Sequence, residues 1–155
     1  MPAPSPSRDW NIRSSEREGD GYFELRWSPF FRADKYRITS STPALGGIVE
    51  LYWRDLAGAL NQFGLQRSWY GGIRATVRER SDPELERDER RLAILKGHKD
   101  EIYYRYSLSE SSADMDDVMY FLMETLFPGR HEVAHSGRYN RIWLKEIEPE
   151  DLLHR

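Results

Sequence analysis

The clearest alternation of apolar and polar positions runs from Ile48 to Trp53. Val49, Leu51 and Trp53 fall on one side, and Ile48, Glu50 and Tyr52 on the other. A period of two predicts a strand. Asp55 and Gly58 predict a turn over 54–59, after which Leu60 to Leu65 returns as a partner strand. Residues 21–27 alternate well enough for an extended segment. Asp34 to Ser40, Ile102 to Leu108 and Arg141 to Ile147 give three further strands, and Ser41 to Gly47, with Pro43 and two glycines, reads as a turn.

Helical spacing appears in three places. Trp69, Ile73 and Val77 recur at i, i+4 and i+8, predicting a buried stripe that runs to about Arg80, with Gly71 and Gly72 weakening its start. Asp82-Pro83 pairs a capping side chain with a residue suited to the first helical position. It predicts a second helix with Leu85, Leu92 and Leu95 inward and Gly97 at its end. Ser111 or Ser112 caps a third helix over about 113–127, with Met115, Val118, Met119, Leu122 and Leu126 as its core stripe and Pro128-Gly129 as its stop. Pro149 onward is a short terminal turn. From Ile48 the order is strand, strand, helix, helix, strand, helix, strand. The expected fold class is α/β (α+β), a small antiparallel or mixed sheet with helices packed on it. Residues 1–20 are rich in Pro, Ser and charge, with Trp10 and Ile12 their only large apolar residues, and are expected to be a mobile tail. Residues 21–155 are expected to form one domain.

Composition narrows the function. A chain of 155 residues with 39% hydrophobic residues fits one folded domain. With no cysteine, disulfides and thiolate metal sites are excluded. No apolar run approaches the roughly 20 residues that span a bilayer, and the first residues lack the apolar centre of a signal peptide. No membrane partner is expected, and the cytoplasm is the expected location. The net charge of −3 argues against a generic, strongly basic nucleic-acid binder. Charge is nevertheless segregated. Arg67, Arg74, Arg78 and Arg80 face a single acid, Glu79, between 67 and 80. Arg130, Arg138, Arg141 and Lys145 face Glu132 between 129 and 145. Residues 109–124 carry acids alone. A local basic surface on an acidic protein is compatible with that pattern.

Gly47-Ile48-Val49 lies on the first of the paired strands and Gln62-Phe63-Gly64 on the second, with Pro43 to Gly47 as a lead-in and an arginine-bearing helix to follow. Over residues 43–131 this layout resembles the GIY-YIG nuclease domain, although Val49 and Gln62 stand where that family has its two tyrosines. The resemblance implies a GIY-YIG-like fold and, for an active member, metal-dependent phosphodiester hydrolysis. Arg74 or Arg78 would be the catalytic cation. Glu124 would be the catalytic, metal-binding carboxylate holding Mg²⁺, with Asp117 the other acid that aligns. Gly129-Arg130-His131 follows Pro128 where the family shows an asparagine. Valine moves no proton, so the expectation is a diverged member that binds DNA or RNA, or a protein partner, without efficient cleavage. Arg67, Tyr70, Arg74 and Arg78 would be its nucleic-acid-binding residues. The alternatives are an active Mg²⁺-dependent endonuclease and a protein-interaction module whose acidic helix face, Asp114 to Glu124, docks a basic partner.

Two other patterns compete. His131-Glu132-Val133-Ala134-His135 matches H-E-x-x-H, which on a helix holds zinc with the glutamate as base. Pro128-Gly129 and Ser136-Gly137 leave it about two turns at most, and a third ligand is missing, so a polar loop is expected. A further reading has His131 and His135 binding an anion with Arg130, Arg138 and Arg141. Tyr103, Tyr104 and Tyr106 either stack nucleobases or pack the sheet.

Overall fold

The computed structural model describes residues 9–152. Two small sheets share the strands. Strands β1 (Ile12–Arg17), β2 (Asp20–Arg26) and β7 (Ile142–Ile147) form one, in the order β1-β2-β7. Strands β3 (Phe31–Arg32), β4 (Gly47–Arg54), β5 (Leu60–Ser68) and β6 (Ile102–Leu108) form the other, in the order β3-β6-β4-β5. All pairings are antiparallel except β2 with β7. The helices are α1 (Lys35–Ser41), α2 (Gly72–Ser81), α3 (Glu89–Gly97), α4 (Ser112–Leu126) and a single turn, α5 (Pro149–Leu152). The α+β class is as expected, but one sheet was expected where there are two.

The period of two in β4 has a consequence. Ile48 belongs to a core with Phe23 and Leu25 of the three-stranded sheet, Trp27 just past β2, and Met115, Val118 and Leu122 of α4. Its neighbour Val49 belongs to another, with Leu51, Tyr104, Tyr106 and the α2 residues Ile73 and Val77. Successive residues of a strand point to opposite faces, so α2 and α4 cover opposite faces of the four-stranded sheet. A bulge in β5 opposite Leu51 and Tyr52 lets Phe63 pack in one core and Leu65 in the other.

Several expectations are corrected. The tail expected over 1–20 holds β1 from Ile12, and Trp10 packs its ring near Phe31 and Tyr106 at 6.0 and 6.1 Å. Residues 1–8 lie outside the described residues. Strand β1 buries little beyond Ile12. It is held by its full register with β2 and by a turn in which Glu18 and Gly19 both take positive φ, 53° and 83°, as tight two-residue hairpins require. The strand expected over Asp34 to Ser40 is helix α1. The Asp34 carboxylate accepts the Arg37 N–H at 2.9 Å, which caps a helix, and Ile38 is its single buried residue. The helix expected from Asp82-Pro83 begins only at Glu89. The buried Glu86 carboxylate accepts the N–H groups of Arg87 and Asp88, both at 3.0 Å, donors a continuous helix would have bonded to its own carbonyls. Trp69 lies before α2 and is half-exposed, and Leu126 is also exposed. Ser111 does cap α4, accepting the Asp114 N–H at 3.1 Å.

Helix α2 starts on a fitted backbone. Gly72 has φ of +72°, and a Cβ there would overlap the Ala44 carbonyl. The first N–H groups of α2 are taken by that same segment, Ile73 donating to the Leu45 carbonyl at 2.9 Å and Arg74 to the Pro43 carbonyl at 3.1 Å. Gly72→Ala adds positive-φ strain to a backbone clash. It is expected to cost about 2 kcal/mol or more in urea denaturation; a loss under about 0.5 kcal/mol would show that the docking of α2 on 43–45 is loose.

Candidate nucleic-acid interface

The residues expected to act together are distributed over the molecule. Arg74 and Arg78 ride on α2 and Glu124 on α4, on opposite faces of the four-stranded sheet. The Arg74 Nε–H donates to the Thr42 carbonyl at 2.7 Å, which ties it to the backbone before β4. Arg78 is exposed and lines a cleft with Arg32, Lys35 and Lys99. Arg67, opposite Ile48 and so on the α4 side, is paired with Asp116 and Ser112. Tyr70, in the loop just before α2, is 93% exposed. No single binding face unites Arg67, Tyr70, Arg74 and Arg78.

The fit to a divalent metal at Glu124 is poor. One carboxylate oxygen accepts the Gly129 N–H at 3.0 Å and the other the His131 Nε2 at 2.7 Å. Among the described residues no three His, Asp or Glu side chains converge as a ligand set. Asp117, the other acid considered, is fully buried and accepts from Ser136 N, Ser136 Oγ and Arg138 Nη2 at 2.7, 2.8 and 2.7 Å. The acidic face of α4 is likewise consumed: Asp114 pairs with Arg138 at 2.9 Å, Asp116 with Arg67, and Glu124 with His131. A basic partner docking there would compete with these internal pairs.

His131 to His135 is irregular backbone, so the i, i+4 geometry of a zinc helix is missing. Each histidine turns its Nδ1 to a backbone N–H, His131 to Val133 at 3.2 Å and His135 to Gly137 at 3.0 Å, and both rings meet the Tyr120 ring edge-on. Arg138 is spent on Asp114 and Asp117, so these groups do not assemble the expected anion site. Of the aromatic strand, Tyr104 and Tyr106 are buried in the core and offer no stacking surface, while Tyr103 lies under the Arg54 guanidinium at 5.2 Å.

An exposed aromatic and basic surface does exist, on the outer face of the three-stranded sheet. Strand register places Ser15, Tyr22 and Trp143 in one row across β1, β2 and β7, and Arg13, Glu24 and Lys145 in the next. Tyr22 and Trp143 are side by side and exposed, 39% and 48%. The Arg17 guanidinium lies 5.8 Å from the centre of the Tyr22 ring. Glu24 is met by Arg26 at 2.8 Å and Arg13 by Asp9 at 3.8 Å, and the Trp143 indole N–H points to Asp20 at 3.5 Å, so the cations of this face, Arg13, Arg17 and Lys145, stand among carboxylates that partly offset them. A shallow cleft of about 510 Å³ runs over it, lined by Arg13, Tyr22, Glu24, Arg26, Trp143 and Lys145. The inner face of the same strands carries Ile12, Phe23, Leu25 and Leu144 into the core, which fixes the outward direction of the alternate residues.

A tail over residues 1–20 would leave out β1 and the start of β2, and with them Arg13 and Arg17 of this face. Its signals were present: Glu18-Gly19 as a hairpin turn, and outward Tyr22, Glu24 and Arg26 opposite outward Trp143 and Lys145. Only the parallel pairing of β2 with β7 joins them.

Among the described residues no helix is long and apolar enough to cross a membrane. No curated protein and no solved structure matches the chain. A family model described as "Uncharacterised protein" matches residues 11–154, a span that takes in both sheets and all five helices. The β1–β2 hairpin that carries half of the exposed surface is thus part of the family's domain, and the chain belongs to that family.

Proposed function

We propose that this protein binds single-stranded nucleic acid across the outer face of its three-stranded sheet. The observation that carries the reading is the exposed Tyr22–Trp143 pair, set side by side by the β2–β7 register and flanked by Arg13, Arg17 and Lys145. Every base has a π-face, so two neighbouring rings offer stacking without sequence demand, and the cations track the phosphates. A flat sheet face suits splayed bases better than a duplex, whose bases are already stacked on one another. The reading keeps the partner class that the GIY-YIG resemblance implies and moves the contact surface away from α2. It does not include cleavage, because Glu124 and the α2 arginines face different sides of the molecule.

Fluorescence polarisation with labelled 12-residue oligonucleotides tests it. Tyr22→Ala and Trp143→Ala are each expected to weaken single-strand binding about 5- to 100-fold, the loss of one stacked base. Arg13→Glu combined with Lys145→Glu is expected to flatten the dependence of affinity on salt, since fewer counterions are then released. Equal affinity of wild type and both aromatic variants would sink the proposal, as would tighter binding of duplex than of single strand. Mg²⁺-dependent cleavage abolished by Glu124→Ala would replace it with the nuclease reading.

A further inference from the structure

We infer that the cleft sharing Trp143 with this face is a pocket for a single guanine base. The inference rests on the nucleic-acid reading for how the base arrives, but the chemistry belongs to the cleft. Trp143 sits on β7, an edge strand, and forms a wall both of the outer face and of a separate cleft of about 400 Å³ between β7 and α4. That volume lies at the lower end of the range of small-ligand sites, about 300–1,000 Å³. Its walls are aromatic: Tyr120 and Phe121 from α4, Tyr139, and Trp143. Tyr139 is held against Gly21, where a Cβ would overlap its ring, and meets Phe23 edge-on at 6.0 Å. Its position is therefore built into the sheet rather than left to a loop.

Glu124 supplies the polar group that chooses among bases. Each of its oxygens already accepts one hydrogen bond, from Gly129 N–H and from His131 Nε2, and a carboxylate oxygen has room for a second. His131 is oriented for that donation, because its Nδ1 is occupied by the Val133 N–H and the ring proton must then sit on Nε2. The His131 hydrogen bond, and after it the Gly129 N–H, hold the Glu124 carboxyl below its usual range. It is an ionised acceptor at neutral pH. Among the standard bases only guanine presents two adjacent donors, N1–H and the 2-amino group, to one carboxylate. Cytosine and adenine place a ring-nitrogen acceptor beside their amino group. Uracil and thymine flank a single N–H with two carbonyls. Against an anion each of those acceptors is repulsive. Arg141, also on the lining, is placed to take the nucleotide's phosphate.

Quenching of tryptophan fluorescence by GMP, IMP and AMP, with wild type and Glu124→Gln, tests the pocket without an oligonucleotide. IMP lacks only the 2-amino group. GMP is expected to bind about tenfold or more tighter than IMP, with AMP weaker than either, and Glu124→Gln is expected to erase the preference. The wild-type comparison needs no variant to fold, and thermal melting checks the variant. Equal affinity for GMP and IMP, or a preference that survives in Glu124→Gln, overturns the inference. Failure of the sheet-face reading looks different: a 12-residue oligothymidine then fails to bind while GMP selectivity persists. Oligothymidine binding that depends on Tyr22, with no GMP selectivity, leaves the sheet face standing and removes the pocket.

Discussion

Arg105→Ala is expected to destabilise the protein by about 3–5 kcal/mol at neutral pH, the cost of stranding a buried charge. Arg105 and Glu50 face each other across β6 and β4 with side chains only 9% and 7% exposed. The Arg105 Nε–H donates to a Glu50 oxygen at 2.6 Å, and the Tyr52 hydroxyl donates to the same oxygen at 2.8 Å. Arg105 Nη1 reaches both oxygens of Glu148 at 2.9 Å, just beyond β7. Its guanidinium also lies over the rings of Trp27 and Phe30, 4.5 and 4.8 Å from their centres. One side chain therefore joins the two sheets. Its removal leaves Glu50 buried with Tyr52 as its remaining partner.

The pH dependence follows from Glu50. Burial pushes its carboxyl above the ordinary value of 4.5 even with the opposing attraction of Arg105. Burial, and then the Glu50 charge, likewise push the Tyr52 hydroxyl well above its ordinary range. A carboxyl raised in the folded state holds its proton more tightly there than in the unfolded chain. Its contribution is fully present below about pH 4.5 and is lost as pH rises through the folded value. Without Arg105 the upward shift grows. The deficit of Arg105→Ala is then small in acid and largest near neutrality, and Glu50→Gln in the same background recovers much of it. Urea denaturation of the single and double variants across pH measures this, and a deficit that does not vary with pH would contradict the account.

The second large effect is expected at Asp117. Asp117→Ala should cost about 3 kcal/mol, since a fully buried carboxylate is removed from three donors, one of them charged. The loss is local in its consequence. Asp117 pins Ser136 and Arg138, and Arg138 stacks over the Tyr139 ring at 4.9 Å. The irregular stretch between α4 and β7, which lines the cleft with His135, Tyr139 and Arg141, has this carboxylate as its buried anchor on the helix, beside the more exposed Asp114 and Glu124. Hydrogen exchange at the Ser136 and Arg138 amides is expected to accelerate in Asp117→Ala, with Asp117→Asn intermediate, while the β4 and β6 amides keep their protection. Unchanged exchange over 135–140 would show that the loop is held by its packing instead.

Asp117 also shows how sequence patterns mislead. It sits among acids on a helix whose apolar stripe is plain, and such a residue reads as solvated. The stripe of α4 was legible because Met115, Val118, Met119 and Leu122 repeat at helical spacing. That Asp114 and Asp117 are also buried was not, because their partner, Arg138, comes from a loop with no period of its own. The same holds for Glu86, whose carboxylate delays α3, and for Asp34, whose capping bond turns a seven-residue alternation into a helix. In each case a single side chain took over backbone donors and outweighed local propensity. The candidate sites fared worse than the elements. Arg67 is parted by the sheet from Arg74 and Arg78, which share α2, and Glu124 lines an aromatic cleft against β7 rather than facing α2.

Local period alone determined the core strands at 48–53, 60–65, 102–108 and 141–147 and the capped helix α4, because an element that buries one face must repeat its apolar residues at its own pitch. The same period says that a face is buried and is silent on what buries it. Only the tertiary structure decided that Ile48 and Val49 enter different cores, which sets Arg74 and Glu124 on opposite sides of a sheet. Only the parallel pairing of β2 with β7 brought Tyr22 beside Trp143 from opposite ends of the chain. Strand partners so far apart in sequence are chosen by the global packing of apolar faces, and no short window of residues contains that choice.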